Sequence, residues 1–170
     1  MRLITATLAL LGLSTAVQAE IVATFIESAP RDIFEIKNTG TCATGPNAVE
    51  VDLSGSAGLL IFDTSSAGAG VNVSQPFVLT EGAKRVLSVS PVTDGDQRIR
   101  FELSTLAPGE ALSFTIDVDD QLPASARGQT RVDGGEIAGA MLRVRAGDAV
   151  LEAPFGAGSA ARVAYSACLS

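Results

Sequence analysis

Gln97-Arg98-Ile99-Arg100-Phe101-Glu102-Leu103 alternates polar and apolar side chains without a break. Successive side chains of an extended chain point to opposite faces, so Ile99, Phe101 and Leu103 share one face and Arg98, Arg100 and Glu102 the other. That pattern marks a half-buried β-strand. It returns in Leu112, Phe114, Ile116 and Val118, predicted to face inward while Ser113, Thr115, Asp117 and Asp119 face out. Val49, Val51 and Leu53 repeat it against Glu50 and Asp52. Residues 21–27, 33–37, 59–62, 71–79, 86–89, 137–145, 150–155 and 163–167 are further predicted strands, and no stretch keeps a helical period for three turns.

Turn residues punctuate these runs. Asp94-Gly95-Asp96 lies between two predicted strands, where an Asp-Gly pair is a strong hairpin signal. Pro108-Gly109 suits the two central positions of a type II turn, and Asp133-Gly134-Gly135 and Ala146-Gly147-Asp148 read as turns as well. Residues 65–70, rich in Gly and Ala, read as a surface loop. Many short strands with no helices between them specify an all-β fold, an antiparallel β-sandwich of immunoglobulin-like architecture.

Composition narrows the chemistry. The 170 residues include no His and no Trp, one Tyr, two Cys and 12 basic against 19 acidic side chains, a net charge of -7. Without imidazole, His-dependent serine, cysteine and zinc catalysis is excluded. An acidic chain with two lysines lacks the basic footprint of a nucleic-acid binder.

Residues 1–19 read as a signal peptide: Met1-Arg2, an apolar run over 3–13, and a small-residue cleavage site at Val17-Gln18-Ala19. The run is too short for a membrane span, and residues 20–170 form one predicted domain. Loss of Arg2 leaves 11 basic and 19 acidic groups, a net charge of -8. Export to the periplasm, the cell surface or the medium puts Cys42 and Cys168 where an even cysteine count reads as a disulfide, two free thiols being the alternative.

The remaining chemistry belongs to carboxylates. Asp117 and Asp119, two apart on one strand, project from the same face about 7 Å apart, with Asp120 following at the strand end. Such a cluster is a candidate site for calcium, which takes about six to eight oxygens from carboxylates, carbonyls and water. Asp94 with Asp96, or Asp133 with Glu136, are candidates to complete the shell. The alternative is a solvated strand end whose charges discourage edge-to-edge pairing. Glycoside hydrolysis by paired carboxylates is a distant third reading, since no Trp offers a sugar platform.

Two resemblances add to this. Phe34-Glu35-Ile36-Lys37-Asn38-Thr39-Gly40, with Leu106-Ala107-Pro108-Gly109-Glu110 and Phe114-Thr115-Ile116 downstream, looks like bacterial immunoglobulin-like adhesion modules. More extensively, the chain resembles small exported bacterial proteins similar to the core protein of the marine sponge aggregation factor. Ile36 to Cys42, Leu60-Ile61-Phe62-Asp63 with Gly68-Ala69-Gly70-Val71, Gln75-Pro76-Phe77, Asp94-Gly95-Asp96, the run from Phe114 to Asp120, and Glu136-Ile137-Ala138-Gly139-Ala140 carry it. This resemblance implies an exported, non-enzymatic adhesion or aggregation protein, with calcium as a candidate cofactor and a protein or surface polysaccharide as partner. A passive exported subunit that binds a protein along a sheet edge, without metal, is the alternative.

Overall fold

The computed structural model describes residues 18–124, 127–166 and 168. Among them are eleven strands: β1 (Ala19–Ile26), β2 (Asp32–Asn38), β3 (Asn47–Asp52), β4 (Ile61–Asp63), β5 (Val78–Glu81), β6 (Val86–Val89), β7 (Arg98–Leu103), β8 (Ala111–Asp119), β9 (Met141–Ala146), β10 (Ala149–Pro154) and β11 (Ala160–Tyr165). A 3-10 turn at Ala83–Arg85 and a single helical turn, α1 (Gly134–Ile137), are the helical pieces among the described residues. One sheet runs β11-β1-β2-β8-β4, with β5 also paired to β8; the other runs β10-β9-β3-β7-β6. Every strand pair is antiparallel.

The two sheets pack face to face, so the predicted all-β antiparallel sandwich is the fold. Ile99, Phe101 and Leu103 of β7, Val49 and Val51 of β3, and Leu112, Phe114, Ile116 and Val118 of β8 are all buried in one core. Phe101 from one sheet meets Phe114 from the other with ring centroids 5.1 Å apart, and Phe114 stacks on Phe34 of β2 at 5.0 Å. Each fully buried Phe contributes roughly 1.5–3 kcal/mol, and the rings join the layers where they meet.

The predicted strand over 71–79 is confined to its last residues: 71–77 is irregular and only Val78–Glu81 pairs with β8. Residues 137–145 divide likewise, because Asp133 caps α1. Its side chain accepts from the N–H groups of Gly135 and Glu136, while Glu136 reaches back to the Asp133 N–H. A capping box thus stands where a turn between strands is predicted. The Pro108-Gly109 turn is present, with Gly109 at φ 82°, a backbone conformation open chiefly to glycine. Asp94-Gly95-Asp96 lies in the connection between the paired strands β6 and β7, but that connection spans residues 90–97, longer than a tight hairpin.

Of the predicted leader, residues 1–17 lie outside the described residues; Ala19 opens β1 opposite Tyr165. Among the described residues no helix is long and apolar enough to cross a membrane. Cys42 and Cys168 stand at disulfide distance with Cα atoms 5.7 Å apart, closing a separation of 126 residues. They lie beyond the Asn38 end of β2, where the Asn38 amide Nδ2 donates to the carbonyls of Cys42 and Leu106, each at 2.9 Å. Asp32 begins the same strand, about 20 Å away by strand rise. Covalent closure and the acidic cluster therefore occupy opposite ends of the sandwich.

The outer face of the second sheet interleaves its arginines with acids. Arg98 and Arg100 on β7 and Arg143 on β9 flank β3, whose Glu50 and Asp52 stand between them. Arg98 and Arg143 both donate to buried Asp52, and Arg143 also bonds Glu50 and Glu152; Arg100 pairs along its own strand with Glu102. Burial pushes the Asp52 carboxyl up, but hydrogen bonds from Ser54, Arg143 and Arg98 outweigh it and lower the pKa to about 2. A depressed carboxylate contributes stability above its unfolded value that is lost as pH falls through the folded one. Acid unfolding should therefore show a loss of about 1–2 kcal/mol between pH 4 and pH 2 that Asp52→Asn removes, read from urea midpoints across that range.

Candidate metal centre

The sheet register assembles the site. In β8, Asp117 and Asp119 share a face because they are two residues apart, and β4 pairs antiparallel with that end of β8 so that Asp63 stands directly opposite Asp117. Side chains directly opposite on one face lie about 5 Å apart, and like charges placed so are destabilising. Carboxylate oxygens of Asp63, Asp117 and Asp119 accordingly fall within 4.8 Å of one another. Two oxygens bound to one calcium at about 2.3–2.6 Å are themselves at most about 5 Å apart.

That face of β8 is not the solvated surface predicted from alternation. Asp63, Asp117, Asp119 and Asp120 are each 0% exposed. Residues 64–77 leave β4, cross over the carboxylates and return to β8 as β5, with the Asp117 N–H donating to the Gln75 carbonyl at 3.1 Å. The reading of a solvated strand end is therefore corrected: alternation along β8 identifies the apolar face, but the opposite face is covered by a loop.

Burial leaves oxygens without partners. Among the described side chains, Asp63 Oδ2, both oxygens of Asp117, Asp119 Oδ1 and Asp120 Oδ2 are buried and accept no hydrogen bond. An unpaired buried charge is costly, so in native structures such groups pair, bind metal or take up a proton. The other oxygens are engaged: Asp63 Oδ1 accepts from the Ser65 N–H and Asp119 Oδ2 from the Val71 N–H at 2.7 Å. Burial, followed by the charges of Asp119, Asp32 and Asp63, raises the Asp117 pKa to about 8. Burial likewise lifts Asp119. Asp63 rises to about 6 through burial and through Asp94 and Asp119, close enough to share a proton with it, although the Ser65 N–H opposes the shift. A shared proton and an inserted cation are two ways of relieving the same repulsion.

Asp32 borders the cluster. It is fully buried, its oxygens accept from the N–H groups of Ser28 and Val118, and burial carries its pKa to about 7 despite those bonds. Asp120 follows Asp119 but lies outside the set of three that meet within 4.8 Å; its Oδ1 accepts from the Leu122 N–H. Of the residues predicted to complete the shell, Asp94 stands beside Asp63, but its carboxylate already accepts from the N–H groups of Thr64, Ser65 and Ala69, and the Ala69 bond leads in holding its pKa down. Asp96 caps Thr93, and Asp133 and Glu136 are used in the α1 capping box.

Asp63 and Asp32 were not among the predicted ligands. Asp63 closes a three-residue strand whose partner, β8, lies more than fifty residues downstream, and nothing local announces that pairing. The donor set is oxygen only, with both cysteines committed at the far end and no His in the chain, which suits calcium, magnesium or manganese over zinc or copper. Carboxylates delivered by two strands beneath an irregular loop match the tolerant geometry of calcium better than the near-ideal octahedron magnesium demands.

No family model, curated protein or solved structure matches the chain.

The loop can lie this close only because Gly70 has no side chain. A Cβ there would stand 2.4 Å from Asp119 Oδ2 and 2.5 Å from Asp63 Oδ2, whereas a Cβ on Gly158 meets nothing within 4 Å. Gly70→Ala should thus cost about 1–3 kcal/mol by overpacking, and Gly158→Ala should stay within about 0.5 kcal/mol of the wild type, in denaturant unfolding of the two variants.

Proposed function

We propose that this chain is an exported, non-enzymatic interaction module of the adhesion or aggregation type, and that its acidic end binds one calcium ion through Asp63, Asp117 and Asp119. The carrying observation is that four oxygens of these three carboxylates are buried without a partner, while one oxygen from each residue lies within 4.8 Å of the others. Water and backbone carbonyls supply the remaining ligands of a six- to eight-oxygen shell. A bound ion exchanges mutual repulsion for attraction and ties β4 to β8. It thereby gives a partner protein or surface polysaccharide a rigid end to recognise. The resemblance to aggregation-factor-core proteins points the same way.

Burial of the trio also supports binding over hydrolysis. A glycosidase needs two carboxyls that touch its substrate, and these three are sealed beneath residues 64–77. A partner that needs no metal has a different template in β10. This outer strand pairs on one side only, with a regular register over six residues, and much of it is exposed.

Calorimetry tests the metal. For an extracellular-type affinity near 0.1 mM, a few millimolar calcium stabilises by about 2 kcal/mol, or roughly 4–8 °C in Tm for a domain of this size. Asp117→Asn removes a carboxyl whose ionised form is buried without a partner, so its Tm in chelator should equal or exceed that of the wild type while the calcium shift disappears. A wild-type Tm indifferent to calcium, or a full shift retained in Asp117→Asn, overturns the metal reading and leaves the edge-strand reading standing.

A further inference from the structure

We infer that the ion governs the order of residues 64–77, making this segment a calcium-dependent cover over the outer face of β8. The inference rests on the metal reading of Asp63, Asp117 and Asp119 and extends it to regulation.

Residues 64–77 contain neither helix nor strand, and none of them is fully buried. What holds the first half is mainly carboxylate, with the Gln121 Nε2 donating to the Ala69 carbonyl at 3.4 Å. The N–H groups of Thr64, Ser65 and Ala69 donate to Asp94, that of Ser65 also to Asp63, and that of Val71 to Asp119. The second half is tied by backbone bonds to the same two strands: the Gln75 N–H donates to the Asp63 carbonyl at 3.3 Å, and the Asp117 N–H to the Gln75 carbonyl. Only at Phe77, which packs against Phe101 and Phe114, does the segment reach the apolar core. A segment with little apolar anchorage and mostly exposed backbone bonds sits at the low end of local stability.

The groups that anchor the segment are thus two of the proposed ligands, Asp63 and Asp119, together with Asp94 beside them. With the ion in place, Asp63 and Asp119 are fixed and their second oxygens remain free to hold the Ser65 and Val71 amides. Without it, whatever repulsion a shared proton leaves among Asp63, Asp117 and Asp119 is relieved by letting the carboxylates move apart and hydrate. That requires the cover to lift, since a Cβ at position 70 would already collide with two of them. Lifting bares the β8 edge between β4 and β5 and the outer face that carries Asp117. Because coupling is reciprocal, the factor by which the ion favours the closed cover is also the factor by which closing the cover tightens the ion.

Hydrogen exchange on the full-length chain, with calcium chloride alone as the probe against chelator, reads this directly. The amides of 64–77 should slow at least about tenfold in calcium under conditions where the mid-strand amides of β1 and β2 exchange too slowly to register. Asp94→Asn supplies the second arm. It lies outside the three proposed ligands, and its new amide opposes the Ala69 N–H donor. It should speed exchange in 64–77 and weaken calcium affinity by about tenfold in titration calorimetry. Saturable calcium binding without a change in 64–77 exchange sinks the inference while sparing the metal site. So does an Asp94→Asn chain with a loosened segment and wild-type affinity. Absence of any calcium heat or Tm shift sinks both readings together.

Discussion

Three buried carboxylates that face one another across a strand pair are the constraint around which this end of the molecule is arranged. The register of β4 against β8 puts Asp63 opposite Asp117, and the two-residue period of β8 brings Asp119 to the same face. A sheet cannot keep those charges unneutralised at no cost. The loop that covers them has no side chain at position 70, donates backbone N–H groups to the carboxylates, and leaves four of their oxygens with nothing to accept. The amide donors ease the crowding of negative charge only in part; the unpartnered oxygens are unfavourable for a bare acidic cluster and become consistent under the proposed hard cation at the centre.

The rest of the sandwich supplies the rigidity such a centre requires. The stacked rings of Phe34 and Phe114, with Phe101 from the opposing sheet, hold β8 from its inner side and so place the backbone that carries Asp117 and Asp119. At the far end, the Cys42–Cys168 closure and the Asn38 amide hold the other terminus of β2. Between the two ends, β2 runs without a break from Asp32 to Asn38.

Much of this was legible in the sequence. Alternation in Arg98–Leu103 and from Leu112 to Asp119 gives strands whose inward apolar residues enter the core, and the two cysteines meet, as their even count suggests. Asp117 and Asp119 could be named because their spacing is local. What escaped depends on distant pairing: Asp63 and Asp32 reach the site through registers with β8 that no short pattern encodes. The outer face of β8 was misread for a related reason. Alternation separates apolar from polar side chains, and polar ordinarily means wet, but a loop of small residues with free N–H groups can bury acids that hydrophobicity assigns to solvent. The capping box at Asp133 and Glu136 was present in the letters and concealed by the apolar residues after it, which read as an extended strand.

Diffraction from crystals grown in calcium is the most direct measurement of the central claim. One strong peak is expected about 2.3–2.6 Å from oxygens of Asp63, Asp117 and Asp119, with further oxygens completing about six to eight ligands. Carboxyl groups of these three residues joined instead by short hydrogen bonds, with no ion among them, would contradict it.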